Sequence, residues 1–334
     1  MLRGIHEIWH SPLTLIAVVG AAYVVVNVFV FGRVHIDRPI TMAWCAALAL
    51  AISARQPASR VLALCADWVP LFLVLTAFDY ARGSGHRLGI GVSYLLSPRL
   101  DHAITGTIPT VWLQRHLYGT SVHHWWNVLP TLTYFSFYFV TWLILAVLWG
   151  RSRARFRVYS RRFLAVTLSS LVVFSLHPTA PPWMDSRRHV IPHITRTTLF
   201  GLREVHLSFA QHAFYSGAAL ADQVAAFPSL HAAYSALPLL LFWRQSRPAV
   251  RAVLVLYPLA MGFSLVLMGE HWASDVLAAW ALTAAVAFTM PVVERQLAGL
   301  LGSRGSKPAP RPVVILLPEP VNDVVVDGAV SEQR

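Results

Sequence analysis

Long apolar runs constrain this chain more than any other feature of its sequence. Several approach the roughly 20 apolar residues that a helix needs to cross a bilayer. Only 13% of the 334 residues are charged, against about 25% in soluble domains. Lipid offers no hydrogen bonds to an open backbone, so such runs fold as helices. Eight are expected to cross the membrane, at about 12–31, 39–54, 63–80, 128–149, 162–177, 229–243, 252–269 and 272–293.

These runs predict an all-α integral membrane protein of about eight transmembrane helices in three parts. Residues 1–58 supply two additional N-terminal helices, and residues 59–295 form a six-helix membrane core. Residues 296–334 are rich in proline and charge, which predicts a disordered cytoplasmic tail. The first apolar run is longer than that of a signal peptide and lacks a convincing cleavage site, so it is expected to be retained.

The formal charge of +12 could indicate nucleic acid, but the arginines are sorted by side of the membrane. If eight helices cross the membrane, the short connections that are rich in arginine all lie on one side of it. The arginines on that side are Arg3, Arg55, Arg60, Arg151, Arg153, Arg155, Arg157, Arg161, Arg162, Arg244, Arg247 and Arg251. The positive-inside rule makes that side cytoplasmic, with both termini inside. We therefore expect a multi-pass protein of the cell membrane that binds no nucleic acid.

Two histidines are expected at the opposite, extracytoplasmic face. His231 starts the sixth helix in "FPSLHAAYSA", and His271 starts the eighth in "GEHWASDVLAAW". Asp275 follows His271 by four residues, so both lie on one face of a helix. A carboxylate there can accept the Nδ1–H of an imidazole and leave Nε2 free as a nucleophile.

Helix N-termini add a second element to this constellation. Both histidines lie near one, and an N-terminus offers N–H groups and a positive dipole to an anion. Ser229 either caps its helix or turns its hydroxyl to the ligand. The pattern predicts a phosphate site in which one histidine attacks phosphorus and the other protonates the leaving oxygen.

Simpler interpretations stand beside this one. A single interfacial histidine is usually a membrane-belt residue, and the chain has 15 histidines. Asp275 is harder to dismiss, because an acid within a membrane helix is costly and functional by default. Histidines and carboxylates could also hold a metal, but no H-E-x-x-H motif is present, and Cys45 and Cys65 provide no metal-ligand spacing. We expect no metal and no cofactor.

These motifs resemble those of the type 2 phosphatidic acid phosphatase superfamily. Pro228–His231 is similar to its Pro-Ser-Gly-His motif, and Ser264–Asp275 is similar to its Ser-Arg-x5-His-x3-Asp motif. The resemblance covers about 60–293. It implies that His271 forms a phosphohistidine, that Asp275 orients it and that His231 is the general acid and base.

The chain departs from that family where phosphate charge would be neutralised. Leu265 stands in place of an arginine, and "HPTAPPWMDSRRH" in place of a Lys-x6-Arg-Pro motif. A His-His-Asp triad without those cations resembles the inositol phosphorylceramide synthase branch, which transfers headgroups between lipids. Arg82 and Arg196 are the candidates to bind phosphate instead. The alternative is that both are interfacial residues, with the aliphatic part of the side chain in the membrane and the charged end in water.

The leading hypothesis is therefore a lipid phosphotransferase or phosphatase acting on a phospholipid or polyprenyl phosphate at the outer face. The alternative is a non-catalytic lipid carrier or transporter that retains the fold. An intact triad argues against the carrier, which has no use for it. The lipid, the acceptor and the oligomeric state are left open by the sequence.

Overall fold

The computed structural model describes residues 57–82, 89–207 and 224–302, together with the isolated Ala22. The regular structure of this part is helical, and two isolated bridges join Ser93 to Thr179 and Thr179 to Ala225. The α-helices are α1 (Ala58–Ala81), α2 (Leu96–Thr105), α3 (Pro109–Tyr118), α4 (Val128–Arg151), α5 (Arg153–Leu176), α6 (Pro182–Arg187), α7 (Phe200–Glu204), α8 (Leu230–Phe242), α9 (Pro248–Leu267) and α10 (Ala273–Gly302).

Four of the described helical segments are long and apolar enough to cross a membrane: Ala58–Ala81, Trp125–Arg151, Pro248–Leu267 and Ala273–Gly299. The chain is therefore a helical membrane protein. The expected count of about eight spans is not confirmed. The runs at 12–31 and 39–54 and the tail beyond 302 lie outside the described residues. The runs at 162–177 and 229–243 fall on α5 and α8, which do not meet the same criteria of length and hydropathy.

The arginine-rich segment before residue 162 was expected to be a connection, but the structure makes it the beginning of α5. Arginine is a good helix former, and carboxylates on neighbouring helices hold these side chains. Arg153 Nε and Arg157 Nε lie 2.7 Å and 3.0 Å from the two carboxylate oxygens of Asp67 on α1. Arg161 Nε lies 3.1 Å from Glu294 Oε1 on α10. The basic segment is thus part of the bundle.

Helix α8 is short and central. It packs against α4, α5, α9 and α10, while α1 packs against α5. All six predicted core runs therefore fall on helices of one bundle. Its buried interior includes Leu75, Phe163, Leu237 and Leu265, each no more than 2% exposed. This packing fixes the starts of α8 and α10 relative to each other.

A layer of short helices covers the end of the bundle where α8 and α10 begin. Helix α2 packs against α10, α3 against α9, and α7 against α4. Helix α3 follows α2 in the connection between α1 and α4. Val111, Ile191, Ile194 and Trp272 form a small buried apolar cluster within the layer. The layer therefore packs against the end of the bundle that carries His271, and the neighbouring Trp272 is part of its apolar cluster.

Candidate active site

The turn that ends α9 positions His271. Gly269 has φ +75°, a left-handed conformation that glycine adopts readily. The N–H of Gly269 donates to the Val266 carbonyl at 3.2 Å, and that of Glu270 to the Leu265 carbonyl at 3.0 Å. This pair of bonds is the Schellman arrangement. It turns the chain sharply between α9 and α10 and sets Glu270 and His271 at the turn.

The His271 ring has a defined tautomer because both neighbours of its Nδ1 are acceptors. Nδ1 lies 3.0 Å from the Ala226 carbonyl oxygen and 3.4 Å from Asp275 Oδ2. Neither oxygen can donate while the carboxylate is ionised, so Nδ1 carries the proton and Nε2 keeps its lone pair. Asp275 is thus beside the ring as expected, but it shares the Nδ1 proton with a backbone carbonyl that the sequence did not indicate.

Asp275 is completely buried and held by two further donors. The backbone N–H of Trp272 donates to its Oδ2 at 3.0 Å, and Ser97 Oγ donates to its Oδ1 at 3.2 Å. These contacts fix the carboxylate beside the imidazole.

Asp101 on α2 closes the N-terminus of α10. The N–H groups of Ala273 and Ser274 donate to its two carboxylate oxygens at 3.0 Å and 2.7 Å. Burial raises the pKa of the Asp101 carboxyl, whereas hydrogen bonds from Ser274 and Ala273 oppose that rise. The first free N–H groups of α10 are therefore occupied by a protein carboxylate. Fewer N–H groups than expected are therefore free to bind an anion at this helix N-terminus.

His231 faces His271 from the start of α8. The centroids of the two rings are 5.7 Å apart, close enough for both imidazoles to act on one phosphoryl group. The His231 ring packs against Tyr134 and Phe137, with ring centroids 4.7 Å and 4.0 Å away. Its Nε2 is buried and has no hydrogen-bond partner among the described residues. A buried polar atom of this kind calls for an explanation, and a bound ligand supplies one.

Ser229 caps α8, since its Oγ accepts the N–H of Ala232 at 3.3 Å. Its own N–H donates to the Asp275 carbonyl oxygen at 3.2 Å, which ties the starts of α8 and α10 together. The cap uses the oxygen of Ser229 as an acceptor and leaves the hydroxyl proton as a possible donor.

The two candidate arginines differ in their surroundings. Arg82 follows α1, is half-buried and lies within electrostatic range of the His231 ring. Arg196 is bound by Glu270: its Nε lies 2.6 Å from Oε1 and its Nη2 lies 3.1 Å from Oε2. Arg196 also stacks on Trp183, with its guanidinium carbon 4.7 Å from the ring centroid.

The segment that replaces the missing cationic motif packs directly behind the site. The Trp183 N–H donates to the Gly269 carbonyl at 3.1 Å, and Trp272 Nε1 donates to the Ala180 carbonyl at 2.9 Å. Asp185 in this segment is completely buried, and its two carboxylate oxygens have no hydrogen-bond partner among the described residues. Burial raises the pKa of Asp185 to about 7; Arg188 opposes the rise and Asp275 adds to it.

Sequence reasoning did not find Ser97, Asp101, Ala226 or Glu270. A weak signal existed for the first two, because Ser97 and Asp101 stand four residues apart on one face of an amphipathic helix. Their partners are more than 170 residues away in sequence, so the signal did not identify a role. Among the described residues, no group of three His, Cys, Asp or Glu side chains could hold a metal ion.

A family model described as the PAP2 superfamily matches residues 101–289. This range spans more than half of the chain and contains both histidines, Asp275 and Asp101. No curated protein and no solved structure matches the chain.

Proposed function

This chain belongs to the PAP2 superfamily, and on that premise we propose that it is an integral-membrane lipid phosphotransferase or phosphatase. Membership indicates phosphatase or phosphotransferase chemistry. The finer proposal is that His271, His231 and Asp275 perform this chemistry at the extracytoplasmic face, through a phosphohistidine. The substrate is a phospholipid or a polyprenyl phosphate.

One observation carries this proposal: the imidazole of buried His271 and that of partly exposed His231 face each other, with ring centroids 5.7 Å apart. His271 has its proton on Nδ1 and its lone pair on Nε2, while His231 has a buried Nε2 without a partner among the described residues. A nucleophile and a proton donor are the two groups that phosphoryl transfer needs on either side of phosphorus. A lipid carrier has no use for this arrangement.

The reaction proceeds in two balanced steps. His271 Nε2 attacks phosphorus as the bond to the leaving oxygen breaks, and protonated His231 gives its proton to that oxygen. His231 then takes a proton from water or an alcohol, whose oxygen attacks phosphorus and breaks the phosphorus–nitrogen bond. Asp275 stabilises the positive charge that develops on His271 in the first step.

Ser229, Arg82 and Arg196 are proposed to bind the phosphate oxygens. A buried anion needs compensating charge, and Leu265 supplies none. Arg82 is the more direct candidate, since it lies within range of His231. Ser229 can donate its hydroxyl proton, and Arg196 contributes its charge only in part because Glu270 binds it. A site with so few cations favours transfer of a phosphodiester headgroup over hydrolysis of phosphatidate.

The site is proposed to face away from the cytoplasm. The arginine ion pairs of α5 meet α10 at Glu294, and Asp275 is in the first turn of that helix. At about 1.5 Å per residue, the two ends are separated by roughly 30 Å. Single cysteines at His189, which is exposed on the site side, and at Ala154, which is exposed on the basic side, test this in a variant that lacks Cys45 and Cys65. An impermeant thiol reagent should label only His189→Cys in intact cells, and labelling of only Ala154→Cys would reverse the orientation.

Purified protein in vesicles of defined composition tests the activity. Vesicles doped in turn with phosphatidate, phosphatidylinositol, phosphatidylglycerol or a polyprenyl phosphate, with and without diacylglycerol or ceramide as acceptor, are analysed by lipid mass spectrometry. One lipid should be consumed by the wild type and not by His271→Ala. If no lipid is converted while both proteins exchange lipid between leaflets equally, the chain is a carrier and the proposal is wrong.

A further inference from the structure

Glu270 binds Arg196 in a geometry that neutralises a cation beside the proposed phosphate site. The two bonds of the pair involve both carboxylate oxygens, and Thr198 Oγ1 donates to Oε1 as a third contact. The side chain of Glu270 is 10% exposed and that of Arg196 is 29% exposed. Paired, bidentate and largely shielded from water, the two charges act on their surroundings as a nearly neutral unit.

This unit belongs to the wall of the site. Glu270 directly precedes His271 and is fixed by the turn at Gly269. Tyr134 lies within electrostatic range of both Glu270 and Arg196, and its ring stacks on His231. The charge of Glu270 therefore lies next to His271 in the chain and within electrostatic range of the ring that stacks on His231.

The charge count distinguishes two kinds of phosphate ester. Arg82, Arg196 and protonated His231 contribute three positive charges. Glu270 and ionised Asp275 contribute two negative charges, which leaves a single net positive charge. A phosphodiester carries one negative charge. A phosphomonoester above its second pKa, which is near 6, carries close to two. The second charge of the monoester is not compensated, because Glu270 already neutralises the charge of Arg196.

We propose that Glu270 is a specificity-determining residue that selects singly charged phosphate esters over doubly charged ones. The inference rests on the proposed function, since it concerns the substrate of the same site. The inference goes beyond the proposed function because it assigns substrate selection to one carboxylate that takes no part in the chemical steps.

A pair of lipids that differ by one methyl group tests this directly. Phosphatidylmethanol is a monoanion, and phosphatidate at pH 8 is close to a dianion. Their kcat/KM ratio is measured for wild type, Glu270→Gln, Glu270→Asp and the double variant Arg196→Gln/Glu270→Gln. Glu270→Gln should shift the ratio toward phosphatidate by about tenfold or more, as expected for removing one charge at this range. Glu270→Asp keeps the charge and should keep the wild-type preference.

The double variant restores the net charge, so its ratio should return toward that of the wild type even though turnover of both lipids falls. It also keeps the test valid if Glu270→Gln alone folds poorly, because it leaves no unpaired arginine. A ratio that is unchanged in Glu270→Gln, or equally shifted in the double variant and in Glu270→Gln, would overturn the assignment.

Binding separates this inference from the proposed function. The affinity for each lipid is measured by tryptophan fluorescence in His271→Ala and in His271→Ala/Glu270→Gln. If the wild type turns over neither lipid but loss of Glu270 still shifts binding toward phosphatidate, the proposed function fails and the selectivity stands. If the wild type turns over lipid but loss of Glu270 shifts neither binding nor turnover, the selectivity fails alone.

Discussion

Replacing Asp101 with asparagine tests the helix cap that supports the site. The side chain is completely buried and accepts two backbone N–H groups of α10, at 3.0 Å and 2.7 Å. Hydrogen bonds to a charged group contribute about 1.5–3 kcal/mol each. Asparagine keeps one acceptor and turns an NH2 group toward the other N–H, so one bond is lost and two donors face each other. We expect Asp101→Asn to lower the free energy of unfolding by about 2–4 kcal/mol.

The assay is reversible unfolding in mixed detergent micelles, followed by circular dichroism, with turnover measured at a temperature where the variant is folded. His102→Asn is the matched control, because His102 is the next residue along and is exposed; its stability should stay within about 0.5 kcal/mol of wild type. If Asp101→Asn is as stable as the control, the Asp101 carboxylate does not stabilise the start of α10.

Three further changes probe the triad, its surroundings and the turn. Asp275→Asn should reduce turnover by about 10³–10⁴-fold, by analogy with triad orienters, and a loss of less than tenfold in steady-state kinetics would remove Asp275 from that role. Asp185 is neutral in the folded state below pH 7, because burial raises its pKa from 3.8 to about 7, so its contribution to stability falls as pH rises between these values. Asp185→Asn should therefore gain stability relative to wild type, by at most about 4 kcal/mol between pH 4 and pH 8, and parallel stability curves would contradict this. Gly269→Ala should destabilise the protein by about 1–3 kcal/mol, because φ is +75° and the new Cβ would lie 2.8 Å from Ile194 Cδ1. Gly150→Ala is the control, since a Cβ at Gly150 meets nothing within 4 Å. Equal thermal stability of the two alanine variants would show that the turn tolerates a side chain.

The sequence predicts the six core helices because their apolar runs are long, and it brings His231 and His271 together by counting helices. What it could not predict depends on partners far away in the chain. The low hydropathy around Arg153 and Arg157 predicts a connection, yet both lie on a helix and pair with Asp67 on another helix. Similarly, nothing near Arg196 in sequence indicates that Glu270 binds it.

The site shows the same limit at closer range. The i, i+4 spacing predicts that Asp275 lies beside His271, and Asp275 Oδ2 is 3.4 Å from His271 Nδ1. The shorter bond to the Ala226 carbonyl has no sequence signal, because every residue carries a carbonyl group. Periodicity thus indicates which side chains share a face, whereas the proton on Nδ1 is assigned only once the backbone around it is known.

The central claim is that His271 forms a covalent bond to phosphorus, and trapping that bond is its most direct test. The wild type is mixed with a lipid that it converts, quenched in alkali within one turnover, digested and examined by mass spectrometry. We expect a phosphoryl-bearing adduct on the peptide that contains His271 in the wild type, and none in His271→Ala. An adduct on another residue, or turnover by His271→Ala at the wild-type rate, would contradict the account.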